Sequence, residues 1–302
     1  MTDTGASKTI AVRSPGEAAE LAGRLCDEPE EYAGLPPIPV LCHEPGAAAL
    51  DRREAFREVY GAIADRVGEP TLYGGSAQGP NVRWRDDGNL VLLSGDLFGV
   101  RLSVHHTELL EEEEYRSFAW GAVSSPAGHP DFDLLPYSWQ LYRSGPGERP
   151  LARSDALLAG CWEHLEIALE LMLGAWTEQL PVQLPGDWAG FTVLSGRDPG
   201  RELVVSYSPD EGLSVAVDDR DTEQGPGRER QMRGRGWQAR DRGWWQSVFH
   251  EVFENAPRLA ARLTVTELRA RGAVSPDDLV VRDAGVSDRG ELWLPGLGIR
   301  MA

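Results

Sequence analysis

A chain of 302 residues with 48 acidic against 30 basic side chains carries a formal charge of −18, which repels a phosphate backbone and argues against nucleic acid as a general partner. A hydrophobic content of 41% with ten Trp is enough for a core in each of two domains, which argues against global disorder. No apolar run approaches the length of a membrane span.

The charge is unevenly placed. From Gly227 onward there are 13 Arg and 10 acidic residues, so all of the negative excess precedes that point, where 17 basic residues face 38 acidic ones. An acidic surface of this kind suits solubility and a basic partner. The start, Met1-Thr2-Asp3-Thr4-Gly5, has no basic stretch followed by an apolar one, so no secretory signal is expected. Three widely spaced cysteines, Cys26, Cys42 and Cys161, fit reduced thiols in a cytoplasm.

In chain order, residues 1–50 read as an extended or partly ordered lead. Within it Glu17 to Cys26 is a short helical stretch, and Leu35 to Leu41 is too Pro-rich for a central strand. A helix follows over 52–67, with Phe56, Val59, Tyr60, Ile63 and Val67 on one stripe, Asp51 as its cap and Gly68 as its stop. Strands are expected at 81–85, 90–93 and 98–104, turning at Asp86-Asp87-Gly88-Asn89 and Ser94-Gly95-Asp96. Gly145 to Pro150 reads as a linker. A second helix is expected from a Ser154-Asp155 cap to about Gly174, its stripe including Leu158 and Cys161. Strands recur at 191–194, 202–207 and 213–217, then a polar loop over 218–230. Trp245 to Phe253 reads as a short helix, and Pro257 opens another to Gly272 with Leu259, Leu263 and Leu268 inward. Glu291 to Leu294 is a last short strand. The expected fold class is α+β: an N-terminal domain over 51–148 and a C-terminal one over 152–302, each an antiparallel meander packed against helices.

No side-chain constellation is spaced for catalysis, a cofactor or a metal. Glu111 to Glu114 reads as a solvated helix face. His105-His106 follows a strand, which points the two rings to opposite faces. Glu163-His164 and His250-Glu251 each lack the second His at i+4 of a zinc helix. Cys42-His43 has no paired ligand at zinc spacing. Asp219, Asp221 and Glu223 alternate as in a calcium loop, but Gln224 and Arg230 stand where that loop needs Gly and Glu. No nucleophile elbow, phosphate loop or dinucleotide fingerprint is present. Between Arg228 and Trp245, six Arg interleave with Trp237, Trp244 and Trp245. That pattern can stack bases, yet in so acidic a chain core packing of Trp237 and Trp245 under a solvated Arg rim is the better reading. Trp244, Arg240 and Arg242 are the expected partner contacts.

Three strands, then Met232, Arg233, Gly236 and Trp237, a Trp-containing loop, an Ala/Leu helix and Val274-Ser-Pro-Asp-Asp-Leu279 resemble actinobacterial TY-Chap domains. These are type III secretion chaperone-like domains related to the YbjN family. The resemblance spans about residues 175–282. It implies an α+β sandwich with an antiparallel sheet and a chaperone or adaptor role, often as a dimer, and it brings no catalytic residues. The expected function is therefore non-enzymatic binding of another protein, of the secreted or toxin-like kind. The alternatives are an immunity protein against a basic toxin, and an enzyme or small-molecule binder with an inter-domain pocket lined by Trp and Arg.

Overall fold

A computed structural model describes residues 9–121, 131–143, 157–195, 198–220, 225–240, 243–250, 255–287 and 290–302. The first strand, β1 (Thr9–Ala11), is followed by α1 (Pro15–Asp27), the short α2 (Pro29–Tyr32) and β2 (Ile38–His43). α1 starts on a capping box in which the Ser14 hydroxyl accepts the Glu17 N–H and the Glu17 carboxylate accepts the Ser14 N–H at 2.8 Å. This corrects the expectation of a lead up to residue 50. β2 is inside the first sheet, and Pro39 is tolerated there because the ladder to the next strand shifts register between Pro39 and Leu41.

Next come α3 (Ala49–Val67), β3 (Leu72–Ser76), β4 (Gly79–Arg85), β5 (Asn89–Gly95), β6 (Gly99–His106), α4 (Thr107–Gly121) and β7 (Trp139–Tyr142). Phe56, Val59, Tyr60 and Ile63 form the buried stripe of α3, as the 3.6-residue spacing requires. The cap differs from expectation: Ala48 precedes the helix without a side-chain bond, and Asp51 sits in the first turn.

The rest comprises α5 (Trp162–Gln183), β8 (Ala189–Ser195), β9 (Asp198–Ser208), β10 (Gly212–Asp218), α6 (Pro226–Gly234), β11 (Gln238–Ala239), β12 (Trp244–Phe249), α7 (Ala256–Ala270), β13 (Leu279–Val286), β14 (Glu291–Trp293) and β15 (Arg300–Met301). Four expectations are corrected here. α5 begins only after Cys161, because Leu157 to Gly160 is non-helical and Ala159 N–H bonds the Gly298 carbonyl at 2.9 Å; the expected cap at Ser154 and Asp155 lies outside the described residues, as does the linker. Cys161 is the cap position and not part of the buried stripe. The segment read as a helix from Trp245 is strand β12, with three aromatics and Val248 suited to a strand, paired with β10 from Trp244 to Phe249. The buried stripe of α7 is Ala256, Ala260, Ala261, Thr264, Val265 and Leu268, which leaves Leu259 exposed.

The fold is α+β, built on two sheets. The first runs β1-β2-β6-β5-β4-β3-β7-β14 and is antiparallel throughout. The second runs β11-β12-β10-β9-β8-β13-β15, antiparallel except for the parallel pair of β13 and β15. One topology recurs. A helix (α3 or α5) leads into a four-stranded meander (β3-β4-β5-β6 or β8-β9-β10-β12). A second helix follows (α4 or α7), and a fifth strand (β7 or β13) returns to lie beside the first strand of the meander. The tail breaks the separation of the two units, because β14 leaves the second and adds to the edge of the first beside β7.

α5 joins the units. Eleven of its 22 residues are buried, among them Leu165, Leu169, Met172 and Leu180; Trp176 meets Phe191 of β8 edge-on at 5.8 Å. Gln179 and Gln183, spaced i and i+4 on one face, are both 2% exposed and reach β3. Gln183 Nε2 donates to the Gly74 carbonyl at 2.8 Å and its Oε1 accepts the Gly74 N–H at 2.9 Å. Gln179 Nε2 donates to the Ser76 carbonyl, and its Oε1 accepts the Trp139 indole N–H, each at 2.8 Å. This approach needs the glycines: a Cβ on Gly75 would lie 2.0 Å from Gln179 Oε1. The helix runs through Pro181, and the Thr177 carbonyl that Pro181 cannot bond instead accepts from Arg53 Nη1 at 3.4 Å.

Replacing Gln183 by Ala leaves a buried N–H and a buried carbonyl of Gly74 unmet, at about 1–3 kcal/mol for each group. Urea unfolding of Gln183→Ala should show a stability loss of at least about 2 kcal/mol. A midpoint equal to that of the wild type would mean that this contact does not hold the units together.

Candidate functional site

The strand pattern of β4 puts Val82 and Trp84 on one face and Arg83 and Arg85 on the other. The apolar face joins the core under α1, α3 and α5. The arginine face is covered by α4, and this corrects the reading of Glu111 to Glu114. Only Glu112 and Glu113 face water. Glu114 is buried and grips Arg83 through two bonds of 3.0 and 2.5 Å, while Arg83 Nε donates to Asn81 Oδ1 at 2.8 Å. Glu111 accepts from Arg85 Nε at 2.7 Å. Carboxylates at i and i+3 on a helix are spaced closely enough to meet guanidiniums at i and i+2 on a strand. Despite its burial, the Arg83 guanidinium is held above its ordinary range by Glu114.

Of the two histidines ending β6, His105 is half-buried with Nε2 at 2.8 Å from Ser103 Oγ, and His106 is exposed. Burial first and the Arg83 charge second push His105 below the usual imidazole range.

The Arg- and Trp-rich segment is divided between the core and the surface. Trp237 and Trp245 are core residues at 1% and 4% exposure. Arg228 forms a two-pronged pair with fully buried Asp219, both bonds 2.8 Å. Arg235 and Arg271 both pair with Glu267 of α7, and Arg233 pairs with Glu229. The expected solvated Arg rim holds for Arg230, Arg233 and Arg240, which are exposed, whereas Arg228 and Arg235 are half-buried in ion pairs; Asp219, a member of the rejected calcium-loop pattern, is held by Arg228. Of the expected partner contacts, Trp244 is half-buried in β12 with the Arg220 guanidinium 5.8 Å above its ring. Arg240 is exposed and its N–H bonds the Trp244 carbonyl at 2.8 Å. Arg242 lies outside the described residues.

Pairing also governs the first unit. Arg52, Arg53, Arg57, Arg66, Arg83, Arg85, Arg101, Arg116 and Arg143 each lie within 4.0 Å of a carboxylate. Seven exposed carboxylates lie at one corner. There the junction of α1 and α2 (Asp27, Glu28, Glu30, Glu31), the β4–β5 turn (Asp86, Asp87) and the first turn of α4 (Glu108) meet, all of them exposed. Asn89 Nδ2 bonds Glu30 Oε1 at 3.2 Å, and the Thr107 hydroxyl bonds the Asp86 carbonyl at 3.0 Å, which ties the three segments together. The local field is visible in Cys26: burial, then Asp27 and Asp86, push its thiol up to about 11. Cys26, Cys42 and Cys161 are free thiols.

At the far end of β5, a narrow cleft opens between the units, lined by His43, Arg52, Arg53, Phe56, Asp96, Glu178 and neighbours. Its lining holds Arg but no Trp, unlike the pocket read from the sequence. Burial pushes the Glu178 carboxyl up against the opposing pull of Arg52 and Arg53. Burial and Arg52 lower His43 against Asp96. Among the described residues no group of His, Cys, Asp and Glu could hold a metal ion, and no helix is long and apolar enough to cross a membrane. The chain matches no family model, no curated protein and no solved structure.

Removing one partner from a buried ion pair leaves the other charge unmet, at about 3–5 kcal/mol. Glu114→Ala should therefore lose roughly that much in chemical denaturation, whereas Glu112→Ala, on the solvent side of the same helix, should leave the midpoint in place. Equal effects would show that α4 is not held through Glu114. His105 is easier to keep neutral in the folded state than in the unfolded one. Its contribution is complete above the unfolded value, about 6.5, and is lost as pH falls below it. The wild type should lose thermal stability relative to His105→Gln on going from neutral pH to mildly acidic pH; parallel curves would contradict this.

Proposed function

We propose that this protein is a non-enzymatic chaperone or adaptor that holds a basic segment of another protein, of the secreted or toxin-like kind, on the acidic corner of its first unit. One observation carries the reading: seven exposed carboxylates meet where α1, α2, α4 and the β4–β5 turn come together, with no arginine ion-paired to Asp27, Glu28, Glu30, Glu31, Asp86 or Glu108 among the described residues. Such a surface attracts a cationic segment over distance and rejects nucleic acid. The likeness of residues 175–282 to TY-Chap domains supports the same role, and it supports a homodimer as the working assembly. Free thiols support a cytoplasmic setting. Trp244 and Arg240 are a secondary contact on the second unit, at the outer end of its sheet. An immunity protein against a basic toxin would use the same corner, and rescue of growth from a toxin encoded beside it separates that role from a chaperone's.

A synthetic Arg- and Lys-rich peptide should bind saturably at low salt and be released as salt rises. The triple variant Asp27→Asn, Glu28→Gln, Glu31→Gln should weaken binding roughly tenfold, about 1.4 kcal/mol, with the thermal midpoint retained. A control, Asp210→Asn with Glu211→Gln on the β9–β10 turn, should bind as the wild type does. Equal loss in both variants would reduce the effect to overall charge and sink the corner as the site.

A further inference from the structure

Four large apolar side chains, Leu50, Leu97, Phe98 and Leu134, are each more than half exposed, Phe98 at 73%, and the first sheet brings them to one end. The β3–β4 and β5–β6 turns share that end because β4 and β5 are antiparallel, with Asn81 opposite Ser94. Gln78 of the first turn donates to the Asp133 carbonyl at 2.8 Å, which seats Leu134 beside it. The Phe98 carbonyl of the second turn accepts the His43 N–H at 2.9 Å. From His43 the chain runs to the first turn of α3, where Leu50 stands.

The β5–β6 tip is fixed, so Leu97 and Phe98 are held out in water. Asp96 Oδ1 accepts the N–H groups of Phe98 and Gly99 at 2.6 and 2.9 Å, and its Oδ2 accepts from Arg101 at 2.8 Å. Gly99 has no room for a side chain, since a Cβ there would lie 2.1 Å from the Leu41 carbonyl oxygen. Rigid apolar anchors lose little freedom on binding, and an exposed apolar cluster rimmed by polar groups marks an interaction surface.

Charge selects the occupant. Glu44, Asp51 and Asp133 stand exposed among the four apolar side chains and form no ion pair among the described residues, whereas Arg52, Arg53, Arg57 and Arg101 at this end are each ion-paired. A second copy presenting the same face would set carboxylate against carboxylate, and an anionic lipid surface is repelled in the same way. A segment that is both apolar and cationic complements the whole surface. The two turns are two strand spacings apart, about 10 Å, close to two turns of an α-helix at about 5.4 Å each.

We propose that this end of the first sheet docks an amphipathic cationic helix of the partner protein, with its apolar stripe on Leu50, Leu97, Phe98 and Leu134 and its Lys or Arg side chains toward Glu44, Asp51 and Asp133. The proposal rests on the partner-binding role and adds a second contact, at the opposite end of β5 from the acidic corner.

Fluorescence anisotropy of a labelled Leu–Lys peptide of about 14 residues, with Leu at i, i+3, i+4 and i+7, tests it at physiological ionic strength, where exposed charges are screened beyond about 8 Å. The peptide should bind saturably, and a peptide of the same composition with Leu dispersed around the helix should bind at least about tenfold more weakly. Leu97→Ser with Phe98→Ser should cost at least about tenfold in affinity, and Leu134→Ser severalfold, with the thermal midpoint retained. Val274→Ser, exposed on the second unit, should change nothing. If the tip variant does not fold, Leu134→Ser carries the comparison. The tip effect should persist in the triple corner variant Asp27→Asn, Glu28→Gln, Glu31→Gln. Binding lost in the corner variant and unchanged in the tip variants would remove this patch and leave the corner standing; the reverse would remove the corner and leave the patch. Equal affinity for the two peptides, self-association that Phe98→Ser abolishes, or Phe98-dependent flotation on phosphatidylcholine vesicles would overturn the helix as occupant.

Discussion

Two glutamines hold this molecule together. Gln179 and Gln183 project from the buried face of α5 into the first sheet, where they bond main-chain groups of β3 as a neighbouring strand would. A buried amide left unmet costs more than a satisfied one returns, so the contact has little tolerance for displacement. It requires glycine at 74 and 75, since any side chain there would occupy the space of the amides or of the Trp139 carbonyl. Once α5 is fixed on β3, the second sheet follows through Trp176 and Phe191, and the cleft beside Arg52 and Glu178 is an inevitable by-product of the same docking.

The recurrence of helix, four-stranded meander, helix and returning strand gives each unit the same problem, namely how to seat the helix after the meander. Both solve it with buried carboxylates on that helix. In the first unit Glu111 and Glu114 of α4 pair with Arg85 and Arg83 of β4. In the second, Glu267 of α7 is shared by Arg235 and Arg271. The sources of the arginines differ, a strand in one and the ends of α6 and α7 in the other, so the common element is the electrostatic device and not a conserved pair of positions. Each such pair removes one charge of each sign, so the acidic surplus of the first unit stays among its other carboxylates, seven of which lie exposed at a corner built from three segments.

The sequence by itself determined the local elements whose pattern is periodic and self-contained. The stripe of α3, the strands β4 to β6 and β8 to β10, and the Asp86 turn all depend on neighbours within a few residues, so spacing and turn chemistry are enough to read them. The α+β class followed from these elements. The core positions of Trp237 and Trp245 were readable for a related reason, because large apolar side chains between strand signals have few other places to go.

Only the tertiary structure decided everything that depends on what lies opposite. A run of four glutamates reads as solvated until Arg83 and Arg85 are found beneath two of them. The Pro-rich stretch 35–41 reads as a surface arm until a register shift gives it a place in a sheet, and a Trp-Trp strand reads as a helix until β10 supplies its ladder. No pattern along the chain ties Gln179 to Ser76, Arg52 to Glu178, or β14 to β7, because these pairs are brought together by the docking of two units whose relative placement is set by packing over many residues. Charge in particular is not legible in one dimension: a side chain's net field is fixed by partners far away in sequence, and the desolvation that makes such pairs matter exists only after the core has closed.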